Sequence, residues 1–206
     1  MTTPNDPNAW TGLHKAFAEL HEEAATVLKA HQDAGALDMI HVLLELERRI
    51  WQLGWGLHQI DSVSIAWRNV GIQDAISTLV TNNSRPELTE LSFLGGFAVE
   101  YLCDAFYVMA FRVYKLLEKK KGLAIKAEGV NRVRNKMIIH PEEKDGVVPY
   151  SFGGGGGVAG PVYKPGQTPE QAAFFTDPGL IANAHEFASQ LLESLKNYPR
   201  PHRQNP

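Results

Sequence analysis

Residues 86–122, PELTELSFLGGFAVEYLCDAFYVMAFRVYKLLEKKKG, decide the fold of this chain. Apolar side chains recur there at three- and four-residue steps, at Leu91, Leu94, Ala98, Leu102, Phe106, Met109, Val113 and Leu117. Such a wide apolar face is typical of a helix at the centre of a bundle. The run is also long enough to span a bilayer, but Glu100 and Asp104 near its middle would be costly in lipid. We therefore predict a buried helix that begins at Pro86, and no membrane span.

The same spacing predicts helices before this segment. A first helix starts near Trp10 and ends at Gly35, a residue that readily takes the backbone angles of a helix end. A second helix starts near Leu37, and Gly54 and Gly56 within it favour a kink or a close contact with another helix. Its apolar stripe is expected at Ile40, Leu44, Trp51 and Leu57.

Polar residues and prolines predict the limits of the remaining helices. Asp61 or Ser62 can cap a third helix, expected to bury Val63, Trp67, Val70, Ile76 and Leu79. A short helix at 126–139 is expected to stop before Pro141. A last amphipathic helix is expected to bury Leu180, Ala184, Phe187, Leu191 and Leu195. The predicted fold class is all-α, a helical bundle of about five to six helices.

A Gly-rich stretch at 144–178 interrupts this pattern before the last helix. It contains five successive glycines, and its β-prone flanks permit either a long irregular insertion or a hairpin. Gly155, Gly157 and Gly160 satisfy GxGxxG, but the stretch neither follows a convincing strand nor opens a helix, so no nucleotide cofactor is predicted. We predict one domain over 1–206 with this excursion inside it.

Composition indicates a folded protein and fits a reducing compartment. Hydrophobic residues make up 44% of the chain and charged residues 21%, which excludes general disorder. The single cysteine, Cys103, can form no internal disulfide, and its apolar neighbours predict a small core residue. The first ten residues lack the basic and then apolar order of a signal peptide, so we expect a cytoplasmic location.

Charge is unevenly distributed along the chain. Residues 112–144 hold ten Lys or Arg against four Asp or Glu, a local balance of +6. Residues 1–111 hold six basic against fourteen acidic residues, a balance of −8. A polyanion such as RNA is expected to approach the basic stretch, although Lys119, Lys120 and Lys121 can also simply favour a helix C-terminus through its dipole.

The basic stretch contains RNKMIIHP, residues 134–141, in which Arg134, Asn135 and His140 combine a cation, an amide and an imidazole. Arginine can neutralise phosphate as a planar fork, and imidazole exchanges protons near cellular pH. On an ideal helix Arg134 and His140 lie about 120° apart. Because Pro141 moves His140 out of helical geometry, the imidazole can swing towards the arginine, and the three side chains can perform metal-free phosphodiester chemistry.

In these residues the chain resembles the HEPN superfamily, whose hallmark is an arginine, a polar residue, several spacers and a histidine near a helix end. Arg134, Asn135 and His140 match that pattern. The resemblance covers residues 9–196 and implies a helical bundle. It also implies metal-independent RNA cleavage in many members, with neither a metal nor a cofactor, often at a site completed by a homodimer. Other members of the superfamily have lost catalysis.

The resemblance implies a role for each matching residue. His140 is expected to act as general base on a 2′-hydroxyl or as acid on the leaving oxygen, while Arg134 stabilises the phosphate charge and Asn135 orients either group. The neighbouring cations Arg132, Lys136 and Lys126 are expected to bind the RNA backbone. Glu100 and Asp104 can orient Arg134 or form a polar pair at the edge of the bundle.

Other functions of the chain stay open from the sequence. His140 can be favoured at a helix end by the dipole alone, which leaves a silent RNA- or nucleotide-binding module, or a helical dimerisation or scaffold protein. A metal site on Asp38, His41 and Glu45 is conceivable, but the two ExxH motifs of a di-iron bundle are missing, so no metal is predicted. His14 and His21 are expected on a solvated face.

Overall fold

The computed structural model describes residues 9–81, 85–120, 122–133 and 177–201. These ranges contain five helices and no strand, which confirms the predicted all-α bundle. In chain order they are α1 (Ala9–Asp33), α2 (Leu37–Thr81), α3 (Pro86–Leu117), α4 (Glu128–Val133) and α5 (Asp177–Lys196). The predicted Gly-rich excursion spans 144–178. Its residues 144–176 lie outside the described residues, and α5 begins at Asp177.

The first and last helices bury the predicted stripes. In α1 the buried side chains are Leu13, Phe17, Leu20, Ala24, Val27 and Leu28, and in α5 they are Leu180, Ala184, Phe187, Leu191 and Leu195. Gly35 lies in the turn that follows α1. It has a φ of 67°, a conformation that glycine adopts without steric cost. Ala36 N then donates to His31 O at 2.9 Å, which satisfies one of the last carbonyl groups of α1.

The predicted second and third helices are one helix of 45 residues, so the boundary predicted at Asp61 or Ser62 is wrong. Asp61 does not cap a helix; its Oδ2 accepts a hydrogen bond from His14 Nε2 of α1 at 3.1 Å. Gly54 provides a close contact with another helix, because a Cβ there would lie 3.6 Å from Phe17 Cβ. Helix α2 therefore continues through Asp61, which contacts α1 instead of starting a new helix.

The predicted apolar stripe of α2 is also wrong in part. Leu57 is buried as expected, but Leu44 and Trp51 are 42% and 56% exposed, and Leu79 is 85% exposed. The buried face instead consists of Leu43, Leu46, Ile50, Leu53, Leu57 and Ile60. Since α2 is apolar on two sides, spacing alone did not indicate which side faces the bundle.

Helix α3 begins at Pro86 as predicted but is buried mainly in its second half. Cys103, Phe106, Val113 and Leu117 lie in the core, whereas Leu91 and Leu94 are 53% and 55% exposed. The expectation of a fully buried central helix is therefore wrong for its first half. By length and composition alone α3 could cross a membrane, a property that core helices of soluble proteins share.

Beyond the main core, the second half of α2 and the first half of α3 continue side by side as an antiparallel pair. A Cβ on Gly95 of α3 would lie 3.0 Å from Trp67 Cδ1 of α2, so glycine permits the two helices to approach closely. Thr89 Oγ1 donates to Asp74 Oδ2 at 3.2 Å, and Asp74 is buried. These contacts align α2 with α3 beyond the main core.

Candidate functional site

The segment leading into α4 is fixed against α5 by one side chain. Gln190 Oε1 accepts hydrogen bonds from the backbone N–H groups of Lys126 and Ala127, both at 3.1 Å. Gln190 Nε2 donates in turn to Glu186 Oε1 at 2.9 Å, which orients the amide. Ala127 has a φ of 42° and a buried side chain. The entry to α4 is therefore held by α5 at a backbone conformation that is unusual for a residue other than glycine.

The middle of α4 packs on α5 and, through it, is linked to α3. A Cβ on Gly129 would overlap Asn183 Oδ1 and would lie 3.1 Å from Asn183 Cγ. Asn183 Nδ2 donates to the hydroxyl oxygen of the fully buried Tyr107 in α3 at 3.0 Å. The absence of a side chain at Gly129 thus allows three helices to meet around one amide.

These contacts define the direction of α4. Its entry lies beside Gln190, and Gly129 lies beside Asn183, so α4 runs antiparallel to α5. Asp104 lies one turn before Tyr107 on α3 and is half-buried. It is one of the two acids predicted to support the site.

The motif residues Arg134, Asn135 and His140 and the neighbouring Lys136 lie outside the described residues. Glu100 belongs to α3 and Arg132 to α4, but their side chains are not among those described. Lys126 is exposed beside α5, where its cation is free of the core. The six-residue α4 corresponds to the first part of the helix predicted at 126–139.

A second polar cluster between α1 and α2 was missed by the sequence interpretation. The rings of His14 and His58 stack with centroids 3.7 Å apart and an angle of 8° between their planes. His14 Nε2 also donates to Asp61, and His21 Nε2 contacts Glu47 Oε1 at 2.6 Å. The face carrying His14 and His21 is therefore packed against α2, and the prediction of a solvated face is wrong.

This cluster has limited chemical capacity as an RNA site. Its histidines line a groove of about 210 Å³ together with Trp51 and Trp55. None of the described residues that line the groove is Arg or Lys, so it offers no guanidinium or ammonium group for a phosphate. The seven-residue step from His14 to His21, and the three-residue step from His58 to Asp61, were the signals present in the sequence.

The pKa of His58 is held below its ordinary value of 6.5, first by partial desolvation of the ring and then by the charge of His14, while Asp61 acts in the opposite direction. Because the unfolded chain binds this proton more readily, the contribution of His58 to stability is complete above pH 6.5 and is lost as pH falls through the lowered pKa.

We expect urea midpoints to fall modestly between pH 7.5 and pH 5.5. His58→Gln should reduce this fall, whereas His41→Gln on exposed α2 surface should not; equal pH slopes in both variants would contradict the assignment.

The conceivable metal site on α2 does not form. Glu45 accepts hydrogen bonds from Arg48 and Arg49, each at 2.7 Å, instead of approaching His41. The hydrogen bond from Arg48, followed by that from Arg49, lowers the pKa of Glu45. Across the described ranges, no three His, Cys, Asp or Glu side chains are grouped so that they could hold a metal ion.

Comparison with known protein families, with curated proteins and with solved structures finds no match to this chain.

Proposed function

We propose that this chain is a HEPN-like, metal-independent endoribonuclease that cleaves RNA phosphodiester bonds with Arg134, Asn135 and His140. The observation that supports the proposal best is the attachment of α4. Gln190 holds the entry of this helix and Asn183 packs against Gly129, so the last described helix before the RNKMIIHP motif is anchored to α5. Catalytic groups need such support, because small displacements of a reacting group reduce the rate strongly.

The proposed reaction is an internal transfer at phosphorus. His140 removes the proton of the ribose 2′-hydroxyl, the 2′-oxygen forms a bond to phosphorus, and the bond from phosphorus to the 5′-oxygen breaks. The protonated His140 returns this proton to the leaving 5′-oxygen, so the products are a 2′,3′-cyclic phosphate and a 5′-hydroxyl. Arg134 stabilises the charge of the pentacoordinate phosphate, and Asn135 orients the phosphate or the imidazole.

Charge supports RNA as the substrate. The motif belongs to the stretch 112–144 with a balance of +6, whereas residues 1–111 carry −8. In this proposal Arg132, Lys136 and the exposed Lys126 supply cations for the phosphate backbone. The proposal includes a site that two copies of the chain complete as a homodimer, as the resemblance to the superfamily implies.

The proposal predicts that the purified chain cleaves single-stranded RNA in the presence of EDTA. Each cut should leave a 2′,3′-cyclic phosphate at one end and a 5′-hydroxyl at the other, as the transfer to the 2′-oxygen requires. Mass spectrometry of the fragments identifies both ends. The Arg134→Ala variant, purified in the same way, is the control for contaminating nucleases and should lose activity.

Two results would contradict a nuclease. Intact RNA after incubation with the wild type removes the catalytic proposal, and salt-sensitive RNA binding in that case identifies a silent binding module. Fragments that carry 5′-phosphates and 3′-hydroxyls would contradict the proposed attack by the 2′-oxygen, because that attack leaves the phosphate on the 2′ and 3′ oxygens.

A further inference from the structure

One side of α2 presents an exposed apolar stripe along most of the molecule. Its members recur every seven residues and are Leu44, Trp51, His58, Ile65, Ile72 and Leu79. Large parts of the apolar side chains face solvent, with Ile72 57% and Leu79 85% exposed. Only His58 among the six is polar, and it stacks on His14 of α1. The core face of α2 is separate, so these residues are not needed to close the bundle.

The seven-residue spacing gives this stripe a specific meaning. A side chain at every seventh position drifts by only about 20° per repeat around a straight helix, and such a row supplies one of the two apolar positions of each heptad along which two helices pair in a coiled coil. Trp55 and Ile76, four residues after Trp51 and Ile72, widen the stripe and are 56% and 54% exposed. The repeat holds from Leu44 to Leu79, over five intervals, on one unbroken helix.

Helix α1 contacts the stripe at His58, and beyond Asp61 the described part of this chain leaves the stripe without a covering helix. Helix α1 has 25 residues against 45 in α2, and its hydrogen bond from His14 to Asp61 lies near the middle of α2. Beyond that point α2 packs on α3 through the side that carries Trp67 and Asp74. Residues 62–81 contain only two charged residues, Arg68 and Asp74, and Asp74 is buried. Charge repulsion does not oppose pairing there.

We propose that α2 of a second copy of this chain covers the stripe, so that two α2 helices pair in a symmetric dimer. A large side chain has a surface of about 200 Å². On each copy the exposed apolar area therefore amounts to roughly 1,000 Å², summed over the stripe residues, Trp55, Ile76 and Val80. That area exceeds the largest apolar patch of a typical monomer and matches the roughly 800 Å² that each partner buries in a stable complex. A two-fold axis brings the same stripe from both copies together.

Sedimentation equilibrium tests the pairing directly. Wild type at micromolar concentration should have twice the monomer mass of 22.8 kDa. Ile72→Glu places a charge in the seam and should weaken the dimer by at least about 100-fold. Leu94→Glu is the matched control, because Leu94 is 55% exposed but lies on α3, outside the stripe; it should leave the dimer unchanged. A wild type of monomer mass at about 100 µM, or equal dissociation by both variants, overturns the proposal.

Disulfide trapping keeps the test decisive even if Ile72→Glu loses helicity. Ser62 is exposed on the stripe side near the middle of the repeat, so Ser62→Cys should cross-link two copies whether their helices run parallel or antiparallel. The matched control is Ser189→Cys, exposed on α5, which should stay monomeric under the same oxidation. Native Cys103 is buried in both proteins. Absence of cross-linking at Ser62→Cys overturns the pairing, and neither result depends on RNA cleavage.

Discussion

Replacing His140 by alanine should lower the rate of RNA cleavage by about 10²- to 10⁴-fold, the usual contribution of a positioned general acid or base. Alanine cannot take the proton of the 2′-hydroxyl or return it to the leaving oxygen. Affinity for RNA should change little, because the cations Arg132, Lys136 and Lys126 stay in place. Single-turnover rates in EDTA, with RNA bound to excess protein, measure the chemical step apart from binding.

The control for this variant is His41→Ala. His41 is exposed on α2, so its replacement should leave cleavage and stability unchanged. A wild-type rate that varies with pH near the ordinary pKa of histidine, and a flat profile in His140→Ala, would assign the proton transfer to this imidazole. Equal cleavage rates in wild type and His140→Ala would refute the mechanism, since no other residue of the motif exchanges a proton at that pH.

The sequence predicted best those helices that are apolar on one side only. Phe17 in α1 and Phe187 in α5 are buried as expected, because each helix offers the bundle a single apolar face. Helix α2 is different, since Leu43 and Leu44 are adjacent and only one of them can face the core. Leu43 is buried and Leu44 is 42% exposed. That choice depends on where α1 and α3 lie, which local spacing does not contain.

Long-range pairing also explains the misplaced helix boundary. Asp61 is a good capping residue in isolation. In the folded chain its carboxylate instead accepts from His14, 47 residues earlier in the chain. The support of α4 has the same origin, because Gln190 and Asn183 reach Lys126 and Gly129 from α5. These amide contacts have no sequence signature, whereas the chemistry expected of Arg134 and His140 is visible in the motif itself.

Gly129→Ala tests whether this support matters, and it should reduce both stability and cleavage. Alanine usually stabilises a helix relative to glycine by roughly 0.5–1 kcal/mol. At this position the new Cβ would overlap Asn183 Oδ1, and moving the amide would break its hydrogen bond to the buried hydroxyl of Tyr107. We therefore expect a net loss of about 1–3 kcal/mol in the free energy of unfolding. Urea denaturation measures this loss, and cleavage assays on the folded variant should show a lower rate because α4 leads into Arg134.

Gly56→Ala provides the matched control, because no atom lies within 4 Å of the Cβ position at Gly56 on α2. That variant should be as stable as the wild type or slightly more stable, with unchanged cleavage. A second comparison isolates the overlap: in an Asn183→Ala background, Gly129→Ala should cost much less than in the wild type. If Gly129→Ala destabilises both backgrounds equally, the effect does not come from Asn183. If it destabilises the fold without slowing cleavage, α4 does not position the reacting groups.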